Sequence, residues 1–468
     1  MEPLIFGTHA PSMGDQCSSG WPGIRRSSAA TRRDAGHARL AADERNGPYA
    51  LLGHELQGIH AQRRVPSIAH GSWMTAAATF PPVARVPETA ADARSLGRVA
   101  IVHDYLNQRG GAEKVVLEMS NMWPEAPIYT SLYRPDSTFD EFRGRDIRTS
   151  FVDRLPVDRS FRNLFPLYPA AFWSFGEIDA DVVIASSSGW AHMARAVATA
   201  AHLVYCYTPA RWLYRDDYLN AGGRRARRQA LLAPFGRGLR RFDARAARRA
   251  DAYVAISDGI RKRVRSAYGF DPSVVYPPVH TERLRPSARG ERLLVISRLL
   301  PYKRVDLVVA AARQLGLGLD VVGDGPLLDE LRSAAGPGTV FHGAAPEETV
   351  TQLLESCSTV CVAGEEDFGI VAVEAQAAGK PVVAYGRGGA RETVVDGISG
   401  VLFHEQTVTC VARAVVACGE LATPPEAIAA SATRFSAHAF VDGLGRVIAA
   451  TRDRPARDGS TTSVMGQT

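Results

Sequence analysis

No apolar run in this 468-residue chain reaches the ~18 residues that a membrane-spanning helix needs. Met1 to Ala30 lacks the apolar core of a secretory signal; its first arginines come at Arg25 and Arg26, and no long apolar stretch follows. The six cysteines are scattered singly, apart from Cys357 and Cys361, which have neither a second pair nor histidines beside them. Zinc and a disulfide framework are therefore disfavoured, and reduced, buried thiols are expected. Acidic residues are almost missing from one segment. From Arg224 to Arg249 there are ten arginines and a single acid, Asp243, so that segment carries +9 and the rest of the chain −3, against a total of +6. Basicity is one patch rather than a general property, which disfavours a nucleic-acid partner. Leu231, Leu232, Phe235 and Leu239 are interleaved with the arginines, so the segment suits an anionic membrane surface, with a solvated charged face as the alternative.

What is present is an alternation of short apolar strands with helices, in a chain long enough for two core-forming domains plus tails. Residues 1–96 show no sustained periodicity and are expected to be a disordered N-terminal extension, with Met74 a candidate alternative start; residues 452–468 are expected to be a disordered tail. Strands are predicted at Val99–Val102, Asp181–Ala185, His202–Cys206 and Asp251–Ile256, with polar residues at their C-terminal ends. Paired prolines at Pro277 and Pro278 favour an extended connector, placed near Pro277–Gly290. A second series follows at Leu293–Ser297, Leu319–Gly323, Val340–Gly343, Ser358–Ala363 and Pro381–Tyr385. The pattern is α/β: two doubly wound parallel sheets, with ligands expected at the strand carboxyl ends.

The most informative stretch runs from Ala363 to Thr393. A strand, a polar loop and an alanine-rich helix from Ile370 follow one another, and Glu366 and Glu374 lie eight positions apart around Gly369. The N–H groups of a helix beginning at Gly369 favour a phosphate or another anion. A ligand across that end would have a carboxylate on either side; solvated glutamates and a capping arrangement are the alternatives. Arg298 and Lys303 flank the turn after the strand ending at Ser297. A planar fork and a compact ammonium suit a diphosphate, and surface salt bridges, for example with Asp306, are the alternative. Gly323-Asp324-Gly325-Pro326 and Gly386–Gly389 are glycine-rich turns that would let a backbone approach a ligand closely.

Three segments, V-I-S-R-L-L-P-Y-K-R-V-D, V-V-G-D-G-P and E-E-D-F-G-I-V-A-V-E-A-Q-A-A-G-K-P-V-V-A, stand in this order between Val295 and Ala384. In sequence and spacing the chain closely resembles the family 4 retaining glycosyltransferases of GT-B fold, from about Val99 to about Ala450. The resemblance implies two Rossmann-like domains facing a cleft: an acceptor domain over 97–280, a nucleotide-sugar domain over 288–436, and a last helix, 437–451, crossing back to the first. It implies a retaining hexosyltransferase, with GDP-mannose the first guess for donor, in envelope polysaccharide or glycolipid synthesis. By the same resemblance Arg298 and Lys303 clamp the diphosphate and, with Glu366 at the donor sugar, form the catalytic set. Gly323, His342, Gly343, Phe368, Gly369, Ile370 and Glu374 line the donor site, Glu374 holding ribose hydroxyls, while Gly110 and Gly111 shape the gap to the acceptor.

No Asp-x-Asp signature stands at a matching strand end, so no metal and no cofactor are expected; Arg298, Lys303 and the helix N-terminus would supply the positive charge. His103, Tyr207 and Arg211 are the acceptor-side candidates. Here the chain departs from its relatives, many of which have histidine at the positions of Tyr207 and Ser188. Tyrosine cannot serve as an imidazole base near neutral pH, and His192 is a nearby substitute. The expected partners are a nucleoside-diphosphate sugar, a glycan or lipid-linked acceptor and, through Arg224–Arg249, the inner face of the plasma membrane, with a cytoplasmic location and no nucleic acid. A nucleotide-sugar epimerase of the same fold and a non-catalytic sugar-nucleotide-binding protein remain as rival readings.

Overall fold

The computed structural model describes residues 96–155, 164, 167–214 and 236–453. The first sheet has seven strands: β1 (Val99–His103), β2 (Ile128–Thr130), β3 (Ile147–Thr149), β4 (Val182–Ser187), β5 (Ala201–Cys206), β6 (Ala252–Ala255) and β7 (Ser273–Val274). All pair in parallel, in the order β3-β2-β1-β4-β5-β6-β7. The second sheet has six: β8 (Leu293–Ile296), β9 (Leu319–Val322), β10 (Thr339–Gly343), β11 (Thr359–Val362), β12 (Val382–Tyr385) and β13 (Gly400–Phe403). They are also parallel, in the order β10-β9-β8-β11-β12-β13. In each sheet the order reverses beside the first strand, between β1 and β4 and between β8 and β11, which opens a crevice at the carboxyl ends. The central strands β1, β4 and β5 are buried along their whole length, as continuous apolar runs covered on both faces require. Strands β2, β3, β7 and β13 escape a reading by apolar runs: three are two or three residues long, and β13 opens on Gly400.

Seven helices place the site. They are α1 (Gly111–Met122), α2 (Gly236–Ala247), α3 (Asp258–Tyr268), α4 (Val305–Leu315), α5 (Ile370–Ala377), α6 (Ala390–Thr393) and α7 (Ala437–Arg452). Ser257 caps α3, its Oγ accepting from the Ile260 N–H at 3.1 Å, and Gly269 ends it in the left-handed region at φ 77°. The chain leaves the first domain through Val275–Val279, where Val279 N–H donates to the Phe435 carbonyl at 2.9 Å. Helix α7 then returns to the first sheet. Its Phe440, Leu444 and Ile448 are buried in the first domain's core, and the Phe440 ring meets Tyr205 edge-on at 5.5 Å. Each such side chain contributes about 1.5–3 kcal/mol of burial, so α7 is an integral part of the first domain. Cys206, Cys357, Cys361 and Cys418 are buried free thiols.

Candidate functional site

The second domain's half of the site is assembled from loops at the carboxyl ends of β8, β9, β11 and β12. After β8 the chain turns through Pro301–Lys303, and Lys303 reaches under the acidic loop, its Nζ 2.5 Å from Glu366 Oε1. Arg298 is exposed and donates to the Tyr302 hydroxyl at 3.3 Å. Arg304 turns away to Asp306 at 3.1 Å. After β11, Gly369 adopts φ 93° and opens α5; its carbonyl accepts from the Ala372 N–H at 3.0 Å, while the Ile370 and Val371 N–H groups stand at the start of the helix, where no intrahelical acceptor precedes them. Glu374 lies on α5, 18% exposed at its side chain. The glycine turn after β12 packs against this loop from below. Gly389 N–H donates to the Glu366 carbonyl at 2.7 Å, and a Cβ on Gly389 would lie 2.3 Å from Phe368 Cα. The Phe368 ring is buried against Tyr276 and Phe435, which leaves its backbone to face a ligand. After β9, Gly323 takes φ 132° and donates to the Gly343 carbonyl at 2.7 Å. His342 turns its ring to Asp320, 2.9 Å away.

The first domain's half of the site is built on the ends of β1, β4 and β5. Asp104 is buried and organises the loop after β4. Its carboxylate accepts from the Ser188 N–H and hydroxyl at 2.5 and 2.9 Å, and from the Trp190 and Ala191 N–H groups at 2.8 and 2.7 Å. His103 is equally buried, with Nδ1 3.0 Å from Ser186 Oγ and Nε2 3.9 Å from the Glu113 carboxylate. Tyr207 is a buried ring whose hydroxyl meets Ser186 Oγ at 2.9 Å and donates to the Ala112 carbonyl at 3.2 Å. Burial, with nearby Glu113 and Asp104, raises its phenol well above the ordinary range, so it anchors the start of α1. His192 pairs internally with the buried Asp243 of α2 at 3.1 Å. Gly110 and Gly111 lead into α1 directly opposite α5: a Cβ on Gly111 would lie 2.9 Å from Ile370 Cδ1. Of the arginine run, Arg224 to Phe235 lies outside the described residues. The described remainder shows Arg240 donating to the Leu213 carbonyl at 2.8 Å and Arg248 to the Tyr268 carbonyl at 2.5 Å.

The two halves meet through charges of opposite sign. Lys114 on α1 lies 3.2 Å from Glu374. Arg211 and Arg263 both reach Asp367, and Arg263 also holds Glu365 at 2.7 Å. Ser257 Oγ donates to the Asp367 carbonyl at 2.7 Å. Glu392 on α6 accepts from the Asp258 and Gly259 N–H groups at 2.8 and 3.0 Å, at the N-terminus of α3. Burial pushes the Asp367 carboxyl up, but Arg211 and Arg263 outweigh it and hold the group below the usual carboxylate range. Glu374 raises the Lys114 ammonium. The sequence-predicted Arg211 is thus joined to the donor loop. Lys114, Arg263 and Glu392 belong to none of the three motif segments, and Asp367 lies within E-E-D-F-G without an assigned role; Lys114 stands close to the double glycine and Asp367 beside Glu366. Among the described residues no group of three or more His, Cys, Asp or Glu is arranged to hold a metal ion, and no helix is long and apolar enough to cross a membrane.

Residues 109–283 match the family described as Glycosyltransferase Family 4, and residues 281–421 match Glycosyl transferases group 1. The chain is 35% identical, over 198 residues, to a GDP-mannose-dependent alpha-(1-6)-phosphatidylinositol monomannoside mannosyltransferase of Mycobacterium tuberculosis; the match covers 35% of this chain and 51% of that protein. It is 33% identical, over 182 residues, to a D-inositol 3-phosphate glycosyltransferase of Mycobacterium bovis, covering 33% and 38% of the two chains. The chain thus spans about half the length, or less, of these curated relatives. Among solved structures, Anabaena HepE in complex with UDP and glucose superposes with a TM-score of 0.60 at 20% identity, covering 75% of this chain and 99% of that one. The lipopolysaccharide outer core galactosyltransferase WaaB superposes at 0.55 and 18% identity, covering 75% and 99%. At these identities the likeness establishes a shared fold.

Proposed function

The chain belongs to the glycosyltransferases of family 4 and group 1, and from that premise we propose that it is a retaining enzyme that moves a hexose from a nucleoside-diphosphate sugar to a glycan or lipid-linked acceptor. The observation that carries this reading is the pair Glu366 and Glu374 on either side of the α5 N-terminus, with Lys303 beneath the first. A nucleotide sugar laid across that helix end meets N–H donors at its phosphates, Glu374 at its ribose and Glu366 at its hexose. Mannose is the first choice of sugar, because the M. tuberculosis relative is named for GDP-mannose. The acceptor enters from the ends of β1, β4 and β5, and Arg224–Arg249 brings the protein to an anionic membrane surface where envelope glycans or glycolipids are built.

As the bond to the sugar breaks, negative charge collects on the departing diphosphate. Lys303, the exposed Arg298 and the α5 N–H groups offset it without a divalent cation; preorganised donors of this kind act most strongly where water is excluded. Tyr207 spends its hydroxyl on Ser186 and Ala112, so no side chain at that position serves as base. In a front-face retaining reaction the leaving phosphate oxygen takes the acceptor's proton, and the sugar's anomeric configuration is kept. Thermal unfolding in the presence of GDP-mannose, UDP-glucose and dTDP-glucose tests the donor. The right donor at 100 times its Kd stabilises the fold by ~2.7 kcal/mol. NMR of the product then reads the anomeric configuration. Equal unfolding temperatures with all three nucleotides, or undiminished transfer by Glu374→Ala, would remove the proposal.

A further inference from the structure

Glu365, Glu366 and Asp367 are three successive carboxylates on the loop that opens α5. Among the described residues three cations neutralise them, and one of these belongs to the same domain: Lys303 on Glu366. Arg263 on Glu365 and Asp367, and Arg211 on Asp367, come from the other domain. The Asp367 side chain is only 12% exposed and Glu365 is 32% exposed, so neither carboxylate is fully solvated in this arrangement. If the domains part, the loop loses Arg211 and Arg263 at once and keeps three like charges within three residues. Repulsion between adjacent carboxylates then favours a different loop conformation. Glu366 sits in the middle of that loop.

Resting on the transferase reading above, we propose that Arg263 and Asp367 are positioning residues: they set the Glu366 carboxylate in its donor-sugar geometry only when the acceptor domain has closed over the donor domain. Arg263 acts through Asp367 and Glu365, and touches no reacting group. The contact of Glu392 with the Asp258 and Gly259 N–H groups fixes the start of α3, and so delivers Arg263, which lies a turn further along that helix, to the loop. The consequence is chemical economy. A donor bound to the open protein lacks a correctly placed Glu366, so its glycosidic bond is not activated while water still reaches it.

Hydrogen exchange on the full chain tests this without any turnover, comparing wild type with Arg263→Gln and Arg263→Lys. The expected result for Arg263→Gln is faster amide exchange confined to residues 364–369 and the facing 257–261, with the GDP or UDP Kd, measured by calorimetry, within threefold of wild type. Transfer should then show kcat reduced at least tenfold with a smaller change in donor KM, and Arg263→Lys should recover part of it. Unchanged exchange at 364–369, or a rise spread through both sheets, would overturn the inference. A wild-type protein that transfers no sugar would instead sink the functional reading, leaving the loop's dependence on Arg263 to be decided by exchange alone.

Discussion

Replacing Lys303 by glutamine separates two effects that the geometry combines. In the resting protein the ammonium lies 2.5 Å from Glu366, with side chains 15% and 23% exposed. Two charges ~4 Å apart at an effective dielectric of 20 attract by about 4 kcal/mol. Desolvation and partial exposure return most of that, so the net contribution to folding is about 1–2 kcal/mol. In the proposed reaction the same ammonium faces the departing diphosphate, where removing one preorganised donor costs roughly 3–4 kcal/mol, or two to three orders of magnitude in kcat. The expected outcome for Lys303→Gln is therefore a fall of a few degrees in unfolding temperature, about 2–4 °C per kcal/mol, beside a loss of at least a hundredfold in kcat. Calorimetric melting and steady-state transfer measure the two sides. A Lys303→Gln enzyme within threefold of wild-type kcat would refute the assignment of this lysine to the leaving group. A loss of folding proportionate to the loss of rate would show that its main work is structural.

Three further substitutions probe the scaffold around the site. Gly323→Ala places a side chain at φ 132° with its Cβ 1.9 Å from the Ser297 carbonyl oxygen, so a loss of roughly 3 kcal/mol or more is expected in chemical denaturation. His280 joins the connector to α1, with Nε2 2.7 Å from Glu118 and Nδ1 3.2 Å from Glu282. The hydrogen bond to Glu118 is the first cause of its raised pKa, which burial and Arg283 oppose. Because the folded pKa is raised, the stabilisation is fully present below the unfolded value near 6.5 and disappears as pH rises through the folded one. Glu118→Gln should therefore cost about 1 kcal/mol near pH 5.5 and little by pH 9, read from urea midpoints. Tyr207→Phe removes one hydroxyl bonded to Ser186 and Ala112. A stability loss of about 1 kcal/mol is expected, with kcat reduced less than tenfold in steady-state transfer; a larger fall in rate would return Tyr207 to the chemistry.

The fold was largely legible because parallel strands buried on both faces write themselves as continuous apolar runs, as at Val182–Ser187 and Leu293–Ile296. The three-residue strands β2 and β3 carry no such run and are defined by their neighbours in the sheet. In the donor half, Glu366, Gly369 and Glu374 are near in sequence, so their relation to one helix start could be read directly. The side-chain environments of His103, Tyr207 and His192 could not. The hydrogen-bond partners Ser186 of His103 and Ala112 of Tyr207, and the charge partner Asp243 of His192, lie 83, 95 and 51 positions away. Nothing in a single sequence says that a polar residue at a strand end has already spent its polar atoms.

The same limit hid the charge pattern. A net charge of +6, or even one basic segment, says nothing about which carboxylate each arginine meets. In the folded protein the first domain contributes Lys114, Arg211, Arg263 and the α3 N-terminus to the cleft, and the second contributes Glu365, Asp367, Glu374 and Glu392. A diphosphate entering a site rimmed by carboxylates would be repelled unless those carboxylates were already neutralised. Under the proposed closure the first domain neutralises them, and in doing so leaves Lys303 and Arg298 less opposed in their attraction for the phosphates. On that proposal donor binding and domain closure favour one another through charge, even though Arg211 and Arg263 spend their guanidinium groups on protein carboxylates.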